Sequence, residues 1–291
     1  MEYTVEDEDI LLNILSIIFP ESSKSKLRKM LTTGRVNING KTTYKAKTLT
    51  YCGDKIKITT IEEAAINSPP PKEFSQSSKL SILYEDKEIM VVTKPAGLLS
   101  VATNKLENDT LHSRCVDYVK NKSRKNWCHI VHRLDRDTSG VMIFAKNNYA
   151  KENLQSQFAT RSVERIYHAL IEGIPEDSEG TDISWIYEDK KLNVKRVKSN
   201  YRGARKAITH WQLLNKGEQF SLLEIKIETG RRHQIRLAMK NLNCPVVGDI
   251  LHGSISNPFK RICLHATKIG FIHPSTNEQL EIVSPIPFKI E

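Results

Sequence analysis

One aspartate stands between two arginines in the segment 132–140, which reads HRLDRDTSG. The fixed positive charges of Arg133 and Arg136 favour the ionised form of Asp135. An ionised carboxylate can act as a nucleophile or a base at neutral pH without a cofactor. The segment is rich in turn-forming residues and precedes the apolar run 141–145. We therefore predict a reactive carboxylate in a loop that leads into a buried strand.

The same residues allow two other interpretations. The segment could be a polar turn whose arginines only pair with the acids. A weaker alternative is that Asp135 and Asp137 form the carboxylate pair of a glycosidase. Cys128, His129 and His132 form too weak a cluster to predict a metal site.

Motifs for other kinds of chemistry are missing. The sequence contains none of the patterns GxxxxGK[ST], GxGxxG, HExxH and GxSxG. Their absence argues against nucleotide-binding, zinc-dependent and serine-hydrolase sites. We therefore expect no metal, no nucleotide and no other cofactor.

Composition limits the partners and the location. The chain has 291 residues and a net charge of +10, so its surface attracts polyanions such as nucleic acid or an anionic membrane. Hydrophobic residues at 39% exclude wholesale disorder, and the length favours two unequal domains. The most apolar stretch, 10–19, is too short to span a bilayer. The acidic start is unlike a secretory or mitochondrial leader, so we expect a cytoplasmic protein without membrane association.

The five cysteines include no Cys-x-x-Cys pair. This spacing disfavours both a disulfide framework and a structural zinc site. We expect reduced thiols.

Residues 10–60 have the pattern of a small, basic unit. Apolar periodicity predicts a first helix that ends near Pro20, and Ser22 or Ser23 can cap a second helix over about 24–33. The second helix is rich in Lys and Arg. On local grounds those charges could form an ordinary solvated helix face.

The rest of this unit contains a hairpin and a closing strand. Asn39-Gly40 signals a two-residue turn, and the alternation at 55–58 predicts a strand. The order of the elements resembles the S4 RNA-binding domain. That resemblance implies phosphate contacts from six cations: Lys24, Lys26, Arg28, Lys29, Arg35 and Lys41.

Residues 61–79 are rich in Pro, Ser and charge and include three consecutive prolines at 69–71, so we predict an interdomain linker. From residue 80 the pattern is that of an α+β domain, without the regular alternation of a doubly wound fold. Strands are predicted at 80–83, 89–93, 141–145, 167–172, 206–214 and 222–228, and helices at 109–121, 148–160 and 232–240.

The segment around Asp135 closely resembles the catalytic signature of the RluA-type RNA pseudouridine synthase family. The resemblance covers residues 10 to about 287 and implies a catalytic domain over 80–288, with a mixed, mainly antiparallel sheet and flanking helices. Further motifs match in family order at 85–92, 94–100, 165–170, 229–236, 247–249, 264–266 and 271–274.

Four residues take roles from this resemblance. It implies that Asp135 is the nucleophile and that Tyr167 stacks on the target uracil and guides proton removal. It also implies that Arg236 pairs with Asp135 and that Arg133 fills the gap that the uracil leaves in its stack. Judged locally, Tyr167 could instead be an inward-facing strand aromatic and Arg236 a surface helix charge.

Three further motif residues are given no catalytic role. His132 and His233 are expected to be structural, and Arg232 occupies a position that is often Ser or Thr in the family.

The resemblance implies isomerisation of specific uridines to pseudouridine in structured RNA. The S4 domain mildly favours ribosomal RNA of the large subunit over transfer RNA as the substrate. We expect a monomer. The alternatives are a synthase that acts on transfer RNA and a catalytically idle RNA-binding or ribosome-assembly factor. The joint presence of Asp135, Tyr167 and Arg236 argues against an idle factor.

Overall fold

The computed structural model describes residues 1–66, 80–103, 107, 109–189 and 192–288. The chain divides into two compact units, Met1–Phe74 and Ser75–Glu291. Among the described residues, no helix is long and apolar enough to cross a membrane.

The first unit contains eight elements before its last helix. They are β1 (Glu2–Thr4), β2 (Asp9–Ile10), α1 (Leu11–Ile18), α2 (Lys24–Thr32), β3 (Val36–Ile38), β4 (Lys41–Thr42), β5 (Leu49–Thr50) and β6 (Lys55–Ile58). Strands β1, β6, β3 and β4 form an antiparallel sheet in that order, and β2 pairs with β5.

Local signals in this unit act as the sequence predicts. The Ser23 hydroxyl accepts a hydrogen bond from the Lys26 backbone N–H at 3.3 Å and caps α2. Asn39 and Gly40 have φ angles of 50° and 81°, as the turn between β3 and β4 requires. The predicted hairpin and both predicted helices are confirmed.

The predicted linker begins with a helix, α3 (Ile61–Ile66). Thr60 and Glu63 form a reciprocal capping pair in which each side chain accepts the other's backbone N–H. The remainder of the predicted linker, including the three prolines, lies outside the described residues.

Within its described residues, the second unit combines a large sheet with three α-helices and a short 3-10 helix at Ile250–His252. Its elements are β7 (Ser81–Glu85), β8 (Ile89–Lys94), α4 (Leu111–Lys122), β9 (His129–Ile130), β10 (Ser139–Ala145), α5 (Asn148–Ala159), β11 (Glu164–Glu172), β12 (Glu179–Glu188), β13 (Val194–Val197), β14 (Arg205–Lys216), β15 (Phe220–Ile227), α6 (Gln234–Asn241), β16 (Leu264–Ile272) and β17 (Gln279–Val283).

The main path of the sheet runs β13-β12-β14-β15-β11-β16-β10-β8-β7, with β17 beside β16 and β9 beside β10. Within the described residues, its one parallel pair joins β10 to β16 through Ser139 opposite His265 and Gly140 opposite Ala266. A mixed, mainly antiparallel sheet is therefore confirmed. Gly140 has a φ of 123°, and a Cβ there would lie 2.2 Å from the Ala266 carbonyl oxygen, so this close approach requires glycine.

The core lies along the central strands. Every residue of β10 is buried, as are the first four of β8, which explains their continuous apolar sequences. The patterns predict β7, β8, β10, β11, β14, β15 and all three helices. They miss β9, β12, β13, β16 and β17. Strand β13 is dominated by charge, and β16 carries the polar residues His265, Thr267 and Lys268, so neither has an apolar alternation.

Candidate active site

A buried serine positions the loop that carries Asp135. The Ser100 hydroxyl donates to the Leu134 carbonyl oxygen at 2.7 Å and accepts from the Leu134 N–H at 3.1 Å. Leu134 itself is buried in the core. These contacts hold the backbone next to Asp135, whose side chain is half-buried at the cavity wall.

A buried lysine ties the same loop to the end of β8. Lys94 is fully buried, and its ammonium group donates to the carbonyl oxygens of Pro95, Leu98 and Arg136 at 2.9, 2.6 and 2.7 Å. Burial lowers the pKa of Lys94 to about 7, and the nearby carboxylates Asp137 and Asp135 oppose that shift. Lys94 has no predicted role from its sequence, although a lysine at the end of an apolar strand could have marked it as a residue with buried polar contacts.

The four residues assigned from the family motifs come together. A cavity of about 430 Å³ is lined by Asp135, Tyr167, Arg236 and Arg133. A neighbouring cavity of about 950 Å³ shares three of them, Arg133, Asp135 and Arg236. Asp135 thus lies where the two cavities meet.

Tyr167 lies on β11, next to an irregularity in the pairing of β11 with β16 between Ile166 and Tyr167. Its side chain is buried. Burial raises the pKa of the Tyr167 phenol to about 12; the charge of Asp135 raises it further and that of Arg165 opposes the change. The phenol is therefore neutral near physiological pH and can donate a hydrogen bond.

The predicted pairing of Arg236 with Asp135 is wrong. Arg236 is buried and donates from Nε and Nη2 to the two carboxylate oxygens of Asp249, at 2.7 and 2.6 Å. Asp249 is also buried, so the two charges compensate each other away from water. Planar guanidinium and carboxylate groups match in such a bidentate pair. Arg236 therefore lines the cavity without forming an ion pair to the candidate nucleophile.

His233 forms a hydrogen bond to Asp135. His233 precedes α6 with a left-handed backbone, φ 53°, and its N–H donates to Asp135 Oδ2 at 3.3 Å. Its ring Nδ1 lies 2.9 Å from Nε2 of His252, so one ring donates and the other accepts. Burial lowers the pKa of both histidines, that of His233 to about 3. This neutral pair braces the first turn of α6 against the segment that carries Asp249.

His132 has a structural contact. Its Nε2 accepts the Ile143 backbone N–H at 3.0 Å, and its ring stacks on Phe158 with centroids 4.7 Å apart. Burial lowers the pKa of His132 to about 3, so the ring is neutral. Within the described residues, no group of three or more His, Cys, Asp or Glu side chains could hold a metal ion.

The six cations proposed to bind RNA lie in the first unit. Helix α2 buries Leu27, Met30 and Leu31 and leaves its basic face exposed. Arg35 is half-buried, and its Nε donates to the Thr59 carbonyl oxygen at 2.9 Å. The exposed cations are Lys24, Lys26, Arg28, Lys29 and Lys41.

Comparison with known proteins identifies relatives of this chain. Residues 88–241 match the RNA pseudouridylate synthase family. The chain is 33% identical over 289 residues to an uncharacterised RNA pseudouridine synthase of Synechocystis sp., covering 94% of this chain and 84% of the relative. It is 32% identical over 288 residues to ribosomal large subunit pseudouridine synthase D of Xanthomonas campestris, with the same coverage of 94% and 84%.

Solved structures share the fold. Human RNA pseudouridylate synthase domain containing 1 is 27% identical, with a TM-score of 0.59 over 75% of this chain and 87% of that one. The human domain-containing 4 protein is 24% identical, with a TM-score of 0.60 over 71% of this chain and 88% of that one.

Proposed function

The chain belongs to the RNA pseudouridine synthase family, whose members are isomerases, and on this premise we propose that Asp135 is the nucleophile that converts specific uridines of a structured RNA to pseudouridine. One observation carries the assignment of Asp135. Its carboxylate lies at the junction of two cavities, beside a neutral tyrosine and a buried arginine. Residues distant in sequence supply these three side chains.

The reaction needs little beyond that arrangement. The bond between uracil N1 and ribose C1′ breaks, a bond from C5 to C1′ forms, the C5 proton leaves and N1 takes up a proton, so the product is an isomer and there is no net oxidation or reduction. Asp135 can attack C1′, add to the ring or assist through a glycal. Each route requires one ionised carboxylate, held close to the nucleoside in a pocket that excludes water. Tyr167 supplies an aromatic face for the uracil and a neutral hydroxyl to guide proton removal.

Access to the uridine is the second requirement. A uridine must leave its stack to reach Asp135, which costs a few kcal/mol. Arg133 is exposed at the cavity, one residue before Leu134 in the anchored loop. We assign its guanidinium to the space that the extruded base vacates.

Large-subunit ribosomal RNA is the proposed target. Two curated relatives, from Xanthomonas campestris and Pseudomonas aeruginosa, are named ribosomal large subunit pseudouridine synthase D. The net charge of +10 suits binding to a structured polyanion. The five cysteines are free thiols, which fits a reducing compartment, and we place the reaction in the cytoplasm.

The first unit is proposed to be an S4-type RNA-binding domain. Its support is the capped basic helix α2, the Asn39-Gly40 hairpin and the exposed cations that they carry. Replacing Lys24, Lys26, Arg28 and Lys29 with alanine should weaken RNA binding and make its salt dependence shallower, with each lost phosphate contact reducing the slope of log affinity against log salt by about 0.7 to 0.9. An unchanged slope would remove α2 from the RNA interface.

Tritium release tests the catalytic assignment. The substrates are transcripts of large-subunit ribosomal RNA and of transfer RNA that contain uridine tritiated at C5. Wild type should release tritium from the ribosomal transcript, and Asp135→Asn should release none, because the amide keeps the shape but cannot act as a nucleophile. RNA affinity should stay within about threefold, since phosphate contacts lie elsewhere.

Asp137→Asn is the matched control, because it removes a carboxylate from the same loop. It should retain tritium release. Near-normal release by Asp135→Asn would remove Asp135 from the mechanism. Release by wild type from the transfer RNA alone would reassign the substrate, and release from neither RNA would favour an idle binding factor.

A further inference from the structure

The catalytic unit has a basic, aromatic surface outside the Asp135 cavities. Residues 194–206, here called the basic ribbon, comprise β13, the turn after it and the start of β14. They contain no Asp or Glu, whereas the whole chain has 44 Lys and Arg against 34 Asp and Glu. The six cations are Lys195, Arg196, Lys198, Arg202, Arg205 and Lys206.

Most of this charge is uncompensated. Arg196 forms an ion pair with the buried Asp182 at 3.3 Å. Within the described part of the chain, no other ribbon cation forms an ion pair. The cations of such a run repel one another, and binding of an anion relieves this repulsion.

Two tyrosines give the ribbon a second chemical feature. The rings of Tyr187 and Tyr201 meet edge to face with centroids 4.9 Å apart, and Lys195 Nζ lies 5.9 and 5.5 Å from their centroids. Tyr201 nevertheless remains 44% exposed. Proteins that bind single-stranded nucleic acid combine an exposed aromatic ring with several nearby cations. Bases stack on the ring, and phosphates form ion pairs with the cations.

The ribbon is continuous with the candidate active site. Lys195 and Arg196 line a cavity of about 850 Å³ together with Arg232 and His233. Arg232 and His233 also line the cavity that contains Asp135. A strand of RNA that enters the active site can therefore pass along the ribbon.

A second copy of the chain fits this edge poorly. Strand β13 is the edge strand of its sheet, and exposed edges can pair with another strand. Two basic ribbons brought together would repel each other, which is how charged edge strands avoid such pairing. The charge therefore selects an anionic partner.

We propose that the basic ribbon binds the single-stranded nucleotides that flank the target uridine, with its cations on phosphates and one base stacked on Tyr201. The proposal rests on the proposed function for the identity of the ligand as RNA. It adds a second RNA-binding surface, which lies on the catalytic unit itself.

Binding of a labelled dodecauridylate by the full-length protein tests the surface. Lys198→Ala/Arg202→Ala should weaken binding and reduce the slope of log affinity against log salt by about 1.4, or 0.7 for each phosphate contact on a single strand. Arg124→Ala/Lys125→Ala is the matched control, because it removes one Lys and one Arg from an exposed loop of the same unit. An equal slope for the two double variants would overturn the proposal.

Tyr201 distinguishes RNA binding from attraction to any polyanion. Tyr201→Leu should weaken dodecauridylate binding about tenfold, within the range for loss of one base–aromatic stack, and Tyr201→Phe should bind within about twofold of wild type. Heparin, which has no bases, should bind Tyr201→Leu and wild type equally. Equal losses for both ligands would reject base stacking.

Two further measurements separate the possible failures. If wild type releases no tritium from either transcript but the ribbon variants still lose dodecauridylate affinity, the proposed function fails and the ribbon assignment stands. If wild type is a dimer by light scattering and Lys198→Ala/Arg202→Ala is a monomer, the ribbon is a protein interface and the proposal is overturned. Thermal unfolding of each variant at the wild-type midpoint confirms that binding losses do not reflect misfolding.

Discussion

Arg236 and Asp249 form a buried bidentate ion pair, with Nε–Oδ2 and Nη2–Oδ1 distances of 2.7 and 2.6 Å. Arg236 lines the same cavity as Asp135. Its guanidinium nevertheless donates both of these hydrogen bonds to Asp249, which lies on the segment that follows α6. The role this geometry supports is positioning: the pair holds the first turn of α6, whose preceding residue His233 donates its N–H to Asp135.

Asp249→Asn should destabilise the protein by about 3 to 5 kcal/mol, because it leaves the buried charge of Arg236 without its partner. Urea unfolding at neutral pH measures the loss. Glu281→Gln is the control, since it breaks an exposed pair with Lys268 and should cost less than about 1 kcal/mol. A similar small cost for both variants would contradict the positioning role.

Tyr167→Phe should keep the fold and the aromatic face but lose the hydroxyl. If that hydroxyl guides proton removal, the single-turnover rate should fall by about 10² to 10⁴. Because the pKa of Tyr167 is raised to about 12, the wild-type rate should show no ionisation of this phenol at neutral or mildly basic pH. Tyr149→Phe is the control, because Tyr149 is an exposed tyrosine of the same unit that lines neither cavity containing Asp135. Equal rates for the two variants would mean that Tyr167 contributes its aromatic ring and not its hydroxyl.

Arg133→Ala should lower the single-turnover rate more for a uridine in a helix than for a uridine in a flexible strand. The expected difference is about 1 to 3 kcal/mol, or roughly 5- to 150-fold, if the guanidinium replaces a lost stack. Single-turnover rates on paired and unpaired versions of one RNA sequence measure it. Equal losses on both RNAs would make Arg133 a structural residue of the loop.

His132 should contribute to acid sensitivity. The folded state keeps the ring neutral because its pKa falls from 6.5 to about 3, whereas the unfolded state binds a proton as the pH drops below about 6.5. The unfolded state therefore gains protons first, and stability falls with decreasing pH between those values, by up to about 1.4 kcal/mol per pH unit. His132→Gln should make the slope shallower by that amount. His210 is half-buried and its ring lies 2.9 Å from a Glu228 carboxylate oxygen, so His210→Gln controls for loss of an imidazole that has a partner. An unchanged slope in His132→Gln would contradict a role of His132 in acid sensitivity.

Much of the local structure follows from nearby residues. The Ser23 cap, the Asn39-Gly40 turn and the apolar run at 141–145 each act within a few positions of the chain, so the sequence predicts α2, the first hairpin and β10. The motif around Asp135 likewise identifies the candidate nucleophile. These signals are local because they come from hydrogen bonds to neighbouring backbone groups and from a short continuous run of apolar side chains.

Tertiary structure alone decided the partners of the candidate site. Arg236 forms its ion pair with Asp249 and not with Asp135, and the ring of His233 hydrogen-bonds to His252. Both contacts form because the first turn of α6 packs against the segment that leads to β16. The sequence determined which groups could carry charge or donate hydrogen bonds. Strand order determined which of these groups come into contact, because pairings between distant segments depend on the whole sheet. It brought the Lys94 ammonium group to the Arg136 carbonyl oxygen in the Asp135 loop and left the charged strand β13 at the edge of the sheet.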